Sequence, residues 1–173
     1  RLDSEKAEKV HLSPINSEEE ILIEEFIEGR EFSCIVIQDE NGKPIALPPT
    51  EIIKADIFFD YRAKYLPGIS RKLTPIKLET PEINKIRKEC EKLFATLSCQ
   101  VYARIDGFYT PDGIIYLNDP NTTSGMLPSS FFFHQAAEIN LSPSAFLTYL
   151  IRASLQQRVF NGKRNMRTRD LLA

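Results

Sequence analysis

The chain has 173 residues, 42% hydrophobic and 27% charged, with a formal net charge of -2 and a pI near 5.8. That is long enough for one domain with a sizeable core, and so slight an acidity supplies no field to attract nucleic acid or an anionic membrane. No apolar run approaches the roughly 18 to 20 residues of a membrane span, so neither nucleic acid nor membrane is an expected partner.

The sequence opens on Arg1 rather than Met, and RLDSEKAEKV has no signal-peptide pattern, so it reads as a piece of a longer protein. Cys34, Cys90 and Cys99 are odd in number and lack CxxC spacing. They read as free thiols in a reducing cytoplasm. Neither His11 nor His134 has metal-ligand spacing.

Residues 1–20 alternate Lys and Glu with few apolar positions and read as a solvated connector. Two β-rich runs follow, 21–27 and 31–38, joined by the short turn Glu28-Gly29-Arg30. In the second, Phe32, Cys34 and Val36 point one way and Ser33, Ile35 and Ile37 the other. Asn41-Gly42 is a turn, 43–47 a short strand, Pro48-Pro49 a break, and 51–58 another extended run. Residues 58–71, polar and aromatic with Pro67-Gly68, read as a long loop.

Thr80 as N-cap and Pro81 at the first helical position open a helix with Ile83, Ile86, Cys90, Leu93, Phe94 and Leu97 on one face. Further on, Phe131-Phe132-Phe133 opens a short helix to about residue 139, its three rings reading as core. Ser142-Pro143 starts another, with Phe146, Leu147, Leu150, Ile151 and Leu155 inward, and Asn161-Gly162 reads as its stop. Residues 159–173 remain as a basic tail or the start of a following segment. The expected fold class is α+β, a mainly antiparallel sheet flanked by helices.

The stretch richest in chemistry is 102–130, YARIDGFYTPDGIIYLNDPNTTSGMLPSS. It reads as two strands, 101–109 and 114–118, around a turn at Thr110-Pro111-Asp112-Gly113, followed by a polar loop. Pairing Tyr109 with Ile114 sets Arg104 opposite Asp119 and Asp106 opposite Leu117. Asp106 and Asp119 then become diagonal neighbours on one face, with β-carbons roughly 7 to 8 Å apart. Such carboxylates can lean towards one or two shared hard cations, with Asn121 adding a neutral oxygen. A solvated hairpin with one cross-strand salt bridge is the competing reading, and spacing alone leaves both open.

Four blocks taken together resemble the C-terminal part of D-alanine:D-alanine ligases, members of the ATP-grasp superfamily. They are ILIEEFIEGREF at 21–32, FFDYRAKY at 58–65, ARIDGFY at 103–109 and LNDPNTTSGMLPSS at 117–130. The resemblance spans about 21–155 and implies an ATP-grasp C-terminal catalytic domain at 21–158, with residues 1–20 as the connector from upstream domains. It places adenine against Glu24, Glu25, Phe26 and Ile27 and the ribose hydroxyls on Glu31. Lys64 becomes a phosphate ligand on a closing loop, and Tyr65 lies near the second substrate.

The resemblance further gives Arg104 the role of stabilising a tetrahedral, negatively charged intermediate, and Asp106, Asp119 and Asn121 two Mg²⁺ ions, with Mn²⁺ as an alternative. Gly125 and Ser130 would hold substrate, Ser130 at the carboxylate of the second D-alanine. The sequence departs from the family pattern at Phe59, where a Tyr is usual, at Asp119, one methylene shorter than the family's Glu, and at Pro120 and Ser124.

What the resemblance implies is ATP-dependent joining of two D-alanines for peptidoglycan in the bacterial cytoplasm. The partners are small molecules, the rest of the same chain and, for the whole protein, a second copy in a homodimer. The piece alone is expected to lack ligase activity. Two rivals remain: an ATP-grasp ligase for another acid and amine, and a noncatalytic nucleotide-binding module that has lost turnover through Asp119.

Overall fold

The computed structural model describes residues 24–54 and 70–171. The elements run β1 (Arg30–Gln38), β2 (Pro44–Ala46), β3 (Thr50–Lys54), β4 (Ser70–Leu73), α1 (Thr80–Thr96), β5 (Tyr102–Tyr109), β6 (Ile115–Asn121), α2 (Phe131–Ala137) and α3 (Pro143–Leu171). The strands form one sheet in the order β4-β3-β1-β5-β6, with β2 on β1, and all the pairings are antiparallel. The expected α+β class with a mainly antiparallel sheet is what forms.

β1 is central and covered on both faces, which is why FSCIVI is a nearly unbroken buried run. Its alternation divides two cores as expected. Phe32, Cys34 and Val36 join Ala103, Ile105 and Tyr109 beneath Ile86, Cys90 and Phe94 of α1. Ile35 and Ile37 join Leu47, Phe132, Ala136, Phe146 and Leu150 beneath α2 and α3. The three cysteines are free, and Cys34 and Cys90 are buried. Contact with Cys34, together with burial, pushes the Cys90 thiol well up, which makes it an inert packing group.

Three polar side chains stitch the layers. Arg87 Nε donates to Ala46 O at 2.8 Å while Glu91 Oε1 accepts from Ala46 N at 2.9 Å, tying α1 to β2. On the other face β1 changes partner, pairing β3 at Phe32 and Ser33 and β2 from Val36 onward. Gln135 fills that break: its Oε1 accepts from Ile35 N and its Nε2 donates to Ser33 O, both at 2.8 Å.

Several expectations are corrected. Residues 24–28 form no regular element, because the chain before Arg30 runs past Tyr109, the last β5 residue that pairs with β1. Ser70 and Arg71 belong to an edge strand, not a loop. SRKL lacks an apolar alternation, and charge at an edge is normal. Glu79, not Thr80, caps α1, with its N–H bonded to Glu82 Oε2 at 3.0 Å.

Leu97 lies beyond the end of α1 and is exposed. On α3, Phe146 and Leu150 face the core but Ile151 and Leu155 are exposed. At 3.6 residues per turn, Leu155 lies about two and a half turns past Phe146, on the opposite side. The helix also continues through Asn161-Gly162 to Leu171. A glycine inside a helix costs only about 1 kcal/mol, so Gly162 lowers helix stability without forcing a stop.

Candidate functional site

The hairpin forms, but with a different register. Tyr109 pairs with Ile115, Gly107 with Leu117 and Asp106 with Asn118, one residue away from the expected pairing. A one-residue slip flips side chains to the other face, and by itself it would have separated Asp119 and Asn121 from Asp106. A bulge opposite the Arg104–Asp106 segment restores the parity, so that Arg104 pairs with Asn121. Asp119 occupies the bulge with φ 45°, a left-handed conformation that Asp tolerates better than most residues.

Arg104, Asp106, Asn118 and Asn121 therefore share one face. Across β1, Ser33 pairs with Asp106 and Glu31 with Phe108, which puts Ser33 beside Asp106 and Glu31 diagonal to it on that same face. This is the α2/α3 side of the sheet, beyond the start of α2.

Arg104 holds Asp106 with a fork, Nη2 to Oδ2 at 2.9 Å and Nε to Oδ1 at 3.1 Å. Burial pushes the Asp106 pKa up and the charge of Asp119 adds to this, while Ser33 and Arg104 pull it down. Ser33 Oγ lies beside the carboxylate without a hydrogen bond of regular geometry, and is buried. Two carboxylates that repel each other, one of them desolvated, with amide oxygens nearby, are a donor set that a hard divalent cation suits. Among the described residues no cluster of three or more His, Cys, Asp or Glu residues exists to hold a metal, so such an ion would depend on Asp106, Asp119 and Asn121.

The loop after β6 is fastened over this face at both ends. Tyr102, on the Arg104 side of β5, accepts the Ser124 N–H on its hydroxyl at 3.3 Å and packs edge-on against Phe132 at 5.3 Å. Lys72 Nζ, from β4, donates to Ser129 O at 3.1 Å. Ser124 is buried; Gly125 is exposed, and a Cβ there would meet nothing within 4 Å. Ser130 precedes α2 with its Oγ buried and unpartnered.

Of the residues expected at a nucleotide, Glu31 lies near the start of β1, diagonal to Asp106, and Glu24 to Ile27 precede the strand. Glu24, Glu25 and Phe26 are exposed, Phe26 by 63%, while Ile27 and Glu31 are half-buried. Lys64, Tyr65 and Phe59 lie outside the described residues. Clefts of about 340 Å³ beside α3 and about 500 Å³ beside α1 touch none of these groups. Sequence reasoning missed Ser33, Asn118, Tyr102 and Lys72. The spacing of Asn118 and Asn121 was a signal, since an odd offset on one face requires a bulge between them.

A family model described as the D-ala D-ala ligase C-terminus matches residues 4–152. D-alanine--D-alanine ligase B of Clostridium perfringens is 34% identical over 142 residues, covering 82% of this chain and 45% of that protein. The D-Ala:D-Ser ligase VanG of Enterococcus faecalis is 31% identical in structural comparison, with a TM-score of 0.65 over 75% of this chain and 37% of the other. The ATP complex of the Bacillus anthracis D-alanine--D-Alanine ligase is 30% identical, with a TM-score of 0.63 over 79% of this chain and 43% of the other. The chain thus spans less than half the length of these relatives. With four blocks in order and a matching sheet and helices, it belongs to the family of D-alanine:D-alanine ligase C-terminal domains, of ATP-grasp fold.

Proposed function

We propose that this chain is the catalytic C-terminal part of a cytoplasmic ATP-dependent ligase that joins two D-alanines through an acyl phosphate for peptidoglycan synthesis. The observation that carries this reading is the convergence of Glu31, Arg104, Asp106 and Asn121 on one sheet face, with Asp119 in the adjoining bulge. Among the described residues no helix is long and apolar enough to cross a membrane, which is compatible with it.

Each residue then has a defined task. Glu24 to Ile27 border the adenine, with Phe26 covering a ring face, and Glu31 accepts the ribose hydroxyl protons. Asp106, Asp119 and Asn121 hold Mg²⁺, which supplies charge neutralisation for the phosphates when bound. Lys64 contacts the transferring phosphate and Tyr65 the second substrate.

Arg104 stabilises the negative charge that develops as the amine of the second D-alanine attacks the acyl phosphate. Its grip on Asp106 positions the guanidinium at the sheet face before substrate arrives, so little reorganisation is required. Gly125 presents backbone to the substrate and Ser130 binds the carboxylate of the second D-alanine.

The test is ADP release by the full-length protein with Mg²⁺-ATP, with and without D-alanine, beside Asp119→Ala. Release that depends on D-alanine and is lost in the variant is expected. Binding of ATP without any substrate-dependent release would instead favour a noncatalytic module. A second reading, a different acceptor such as D-serine, has support from the similarity to a D-Ala:D-Ser ligase and from Ser124 beside the acceptor loop; release stimulated by other amines alone would establish it.

A further inference from the structure

Ser33 carries the one hydroxyl in the buried run of β1 from Phe32 to Ile37. The residue is fully buried, and its Oγ has no hydrogen-bond partner of regular geometry. A hydroxyl in that state costs free energy that an alanine at the same place would not. Packing alone therefore gives no reason for an oxygen here.

The neighbours of Ser33 do. It pairs with Asp106 across β1 and β5, and β-carbons directly opposed in an antiparallel pair lie about 4.5 to 5.5 Å apart. Asp106 is thus flanked by Ser33 on the β1 side, by Arg104 along its own strand and by the charge of Asp119 on the β6 side. A carboxylate has about four lone-pair sites, and the Arg104 fork takes two of them. The backbone that carries the Ser33 hydroxyl is itself tied down. Gln135 Nε2 donates to Ser33 O at 2.8 Å and to Oγ1 of Thr50, the partner of Ser33 on β3, at 3.0 Å.

We infer that Ser33 is a positioning residue for the divalent cation, donating its hydroxyl to Asp106 from the β1 side so that the carboxylate keeps a lone pair turned towards Asp119 and Asn121. This deepens the ligase reading and rests on its metal site. Asp119 repels Asp106, and a carboxylate held only by Arg104 has nothing on the β1 side to fix its rotation. Ser33 supplies that second hold from a rigid central strand. Hydrogen bonds to a ligating carboxylate change metal affinity by about 10- to 100-fold.

The experiment uses the full-length protein and its Ser33→Ala and Ser33→Thr variants, with Mn²⁺ as the probe and a nonhydrolysable ATP analogue present. Bound Mn²⁺ is followed by electron paramagnetic resonance, analogue affinity is measured with and without the ion, and denaturant midpoints report folding. Ser33→Ala is expected to weaken Mn²⁺ binding by about tenfold or more. Its midpoint should be unchanged or raised, its metal-free analogue affinity within about twofold of wild type, and Thr should rescue in part. In turnover, the Mg²⁺ concentration for half-maximal ADP release should rise by the same factor, with kcat at saturating Mg²⁺ within about twofold.

Unchanged Mn²⁺ affinity in Ser33→Ala overturns the inference. So does a loss shared by metal-free analogue binding or accompanied by a lower midpoint, which would make Ser33 a structural residue. A Thr variant as stable as wild type that binds Mn²⁺ no better than the Ala variant overturns it as well; where Thr lowers the midpoint, the Ala variant decides. Mn²⁺ binding also separates this from failure of the ligase reading. If the wild type releases no ADP with D-alanine, weaker Mn²⁺ binding by Ser33→Ala still supports the positioning role, whereas a wild type that binds no Mn²⁺ beside the analogue overturns it.

Discussion

Arg104 and Asp106, two positions apart on β5, are joined by two parallel hydrogen bonds of 2.9 and 3.1 Å. Their side chains are 19% and 24% exposed, so the pair is shielded enough to hold its geometry. Its contribution to folding is nevertheless small, since each charge was also well solvated in the unfolded chain. The fork matters for where it leaves the guanidinium.

Replacing Arg104 by Lys therefore separates folding from function. Lys retains the charge but not the planar fork. Stability is expected to change by about 1 kcal/mol or less, while turnover of the full-length ligase falls about 100-fold or more. Denaturant midpoints and ADP release measure the two, and near-normal turnover would remove Arg104 from the proposed chemistry.

Gly107→Ala should be among the most damaging small changes. A Cβ at this position would lie 2.5 Å from Tyr116 O and 2.7 Å from Phe32 Cζ. The first neighbour is backbone and the second is a fully buried ring, so neither yields readily. A loss of about 1 to 3 kcal/mol is expected from overpacking, read as a lower denaturant midpoint, and a neutral result would show that the β5–β6 pair can spread.

Gln135→Leu tests the bridge across the break in β1. It removes partners from Ile35 N–H and Ser33 C=O, and also the 3.0 Å bond to Thr50 Oγ1. Each buried group left unsatisfied costs about 1 to 3 kcal/mol, so destabilisation of roughly 3 kcal/mol or more is expected. Amide exchange at Ile35 should rise with it; protection unchanged at Ile35 would contradict the bridge.

Tyr109 Oη donates to Glu82 Oε1 at 2.6 Å, joining the rim of β5 to the first turn of α1. The Tyr109 ring is buried while its hydroxyl reaches the protein's edge. The Tyr109 hydrogen bond holds Glu82 below its ordinary 4.5, and the bond to Glu82 raises Tyr109 above its ordinary 10.0. A lowered carboxylate contributes stability above its unfolded pKa and loses it as pH falls through the folded value; a raised phenol contributes below its unfolded pKa and loses it as pH rises through the folded value. The stability advantage of wild type over Tyr109→Phe should thus hold between about 4.5 and 10 and shrink at both ends. A pH-independent difference would show that the bond is not its source.

Much of the scaffold is legible in the residues themselves. The alternation in Phe32 to Ile37 divides the two cores, and Ile86, Cys90 and Phe94 at helical spacing mark the face α1 buries. Local reading failed where neighbours outside the local stretch decide. The polar Ser70–Leu73 strand exists because β3 offers it a ladder, and residues 24–28 are irregular because they have run past the end of β5. On α3, apolar residues lie on two opposite sides, and composition cannot say which side meets the sheet.

The site divides along the same line. By itself the sequence determined that Arg104, Asp106, Asp119 and Asn121 lie on the strands of one hairpin, since residue type and strand periodicity are local properties. The tertiary structure decided that Arg104, Asp106 and Asn121 share a face with Glu31 of β1, with Asp119 in the adjoining bulge. Register and bulge depend on pairing energies between β5, β6 and β1, and a single extra residue at Asp119 inverts the parity of all that follows it. The contact of Lys72 with Ser129 O and the Phe131 ring was decided likewise, because residues far apart in sequence meet only when the fold brings their elements together.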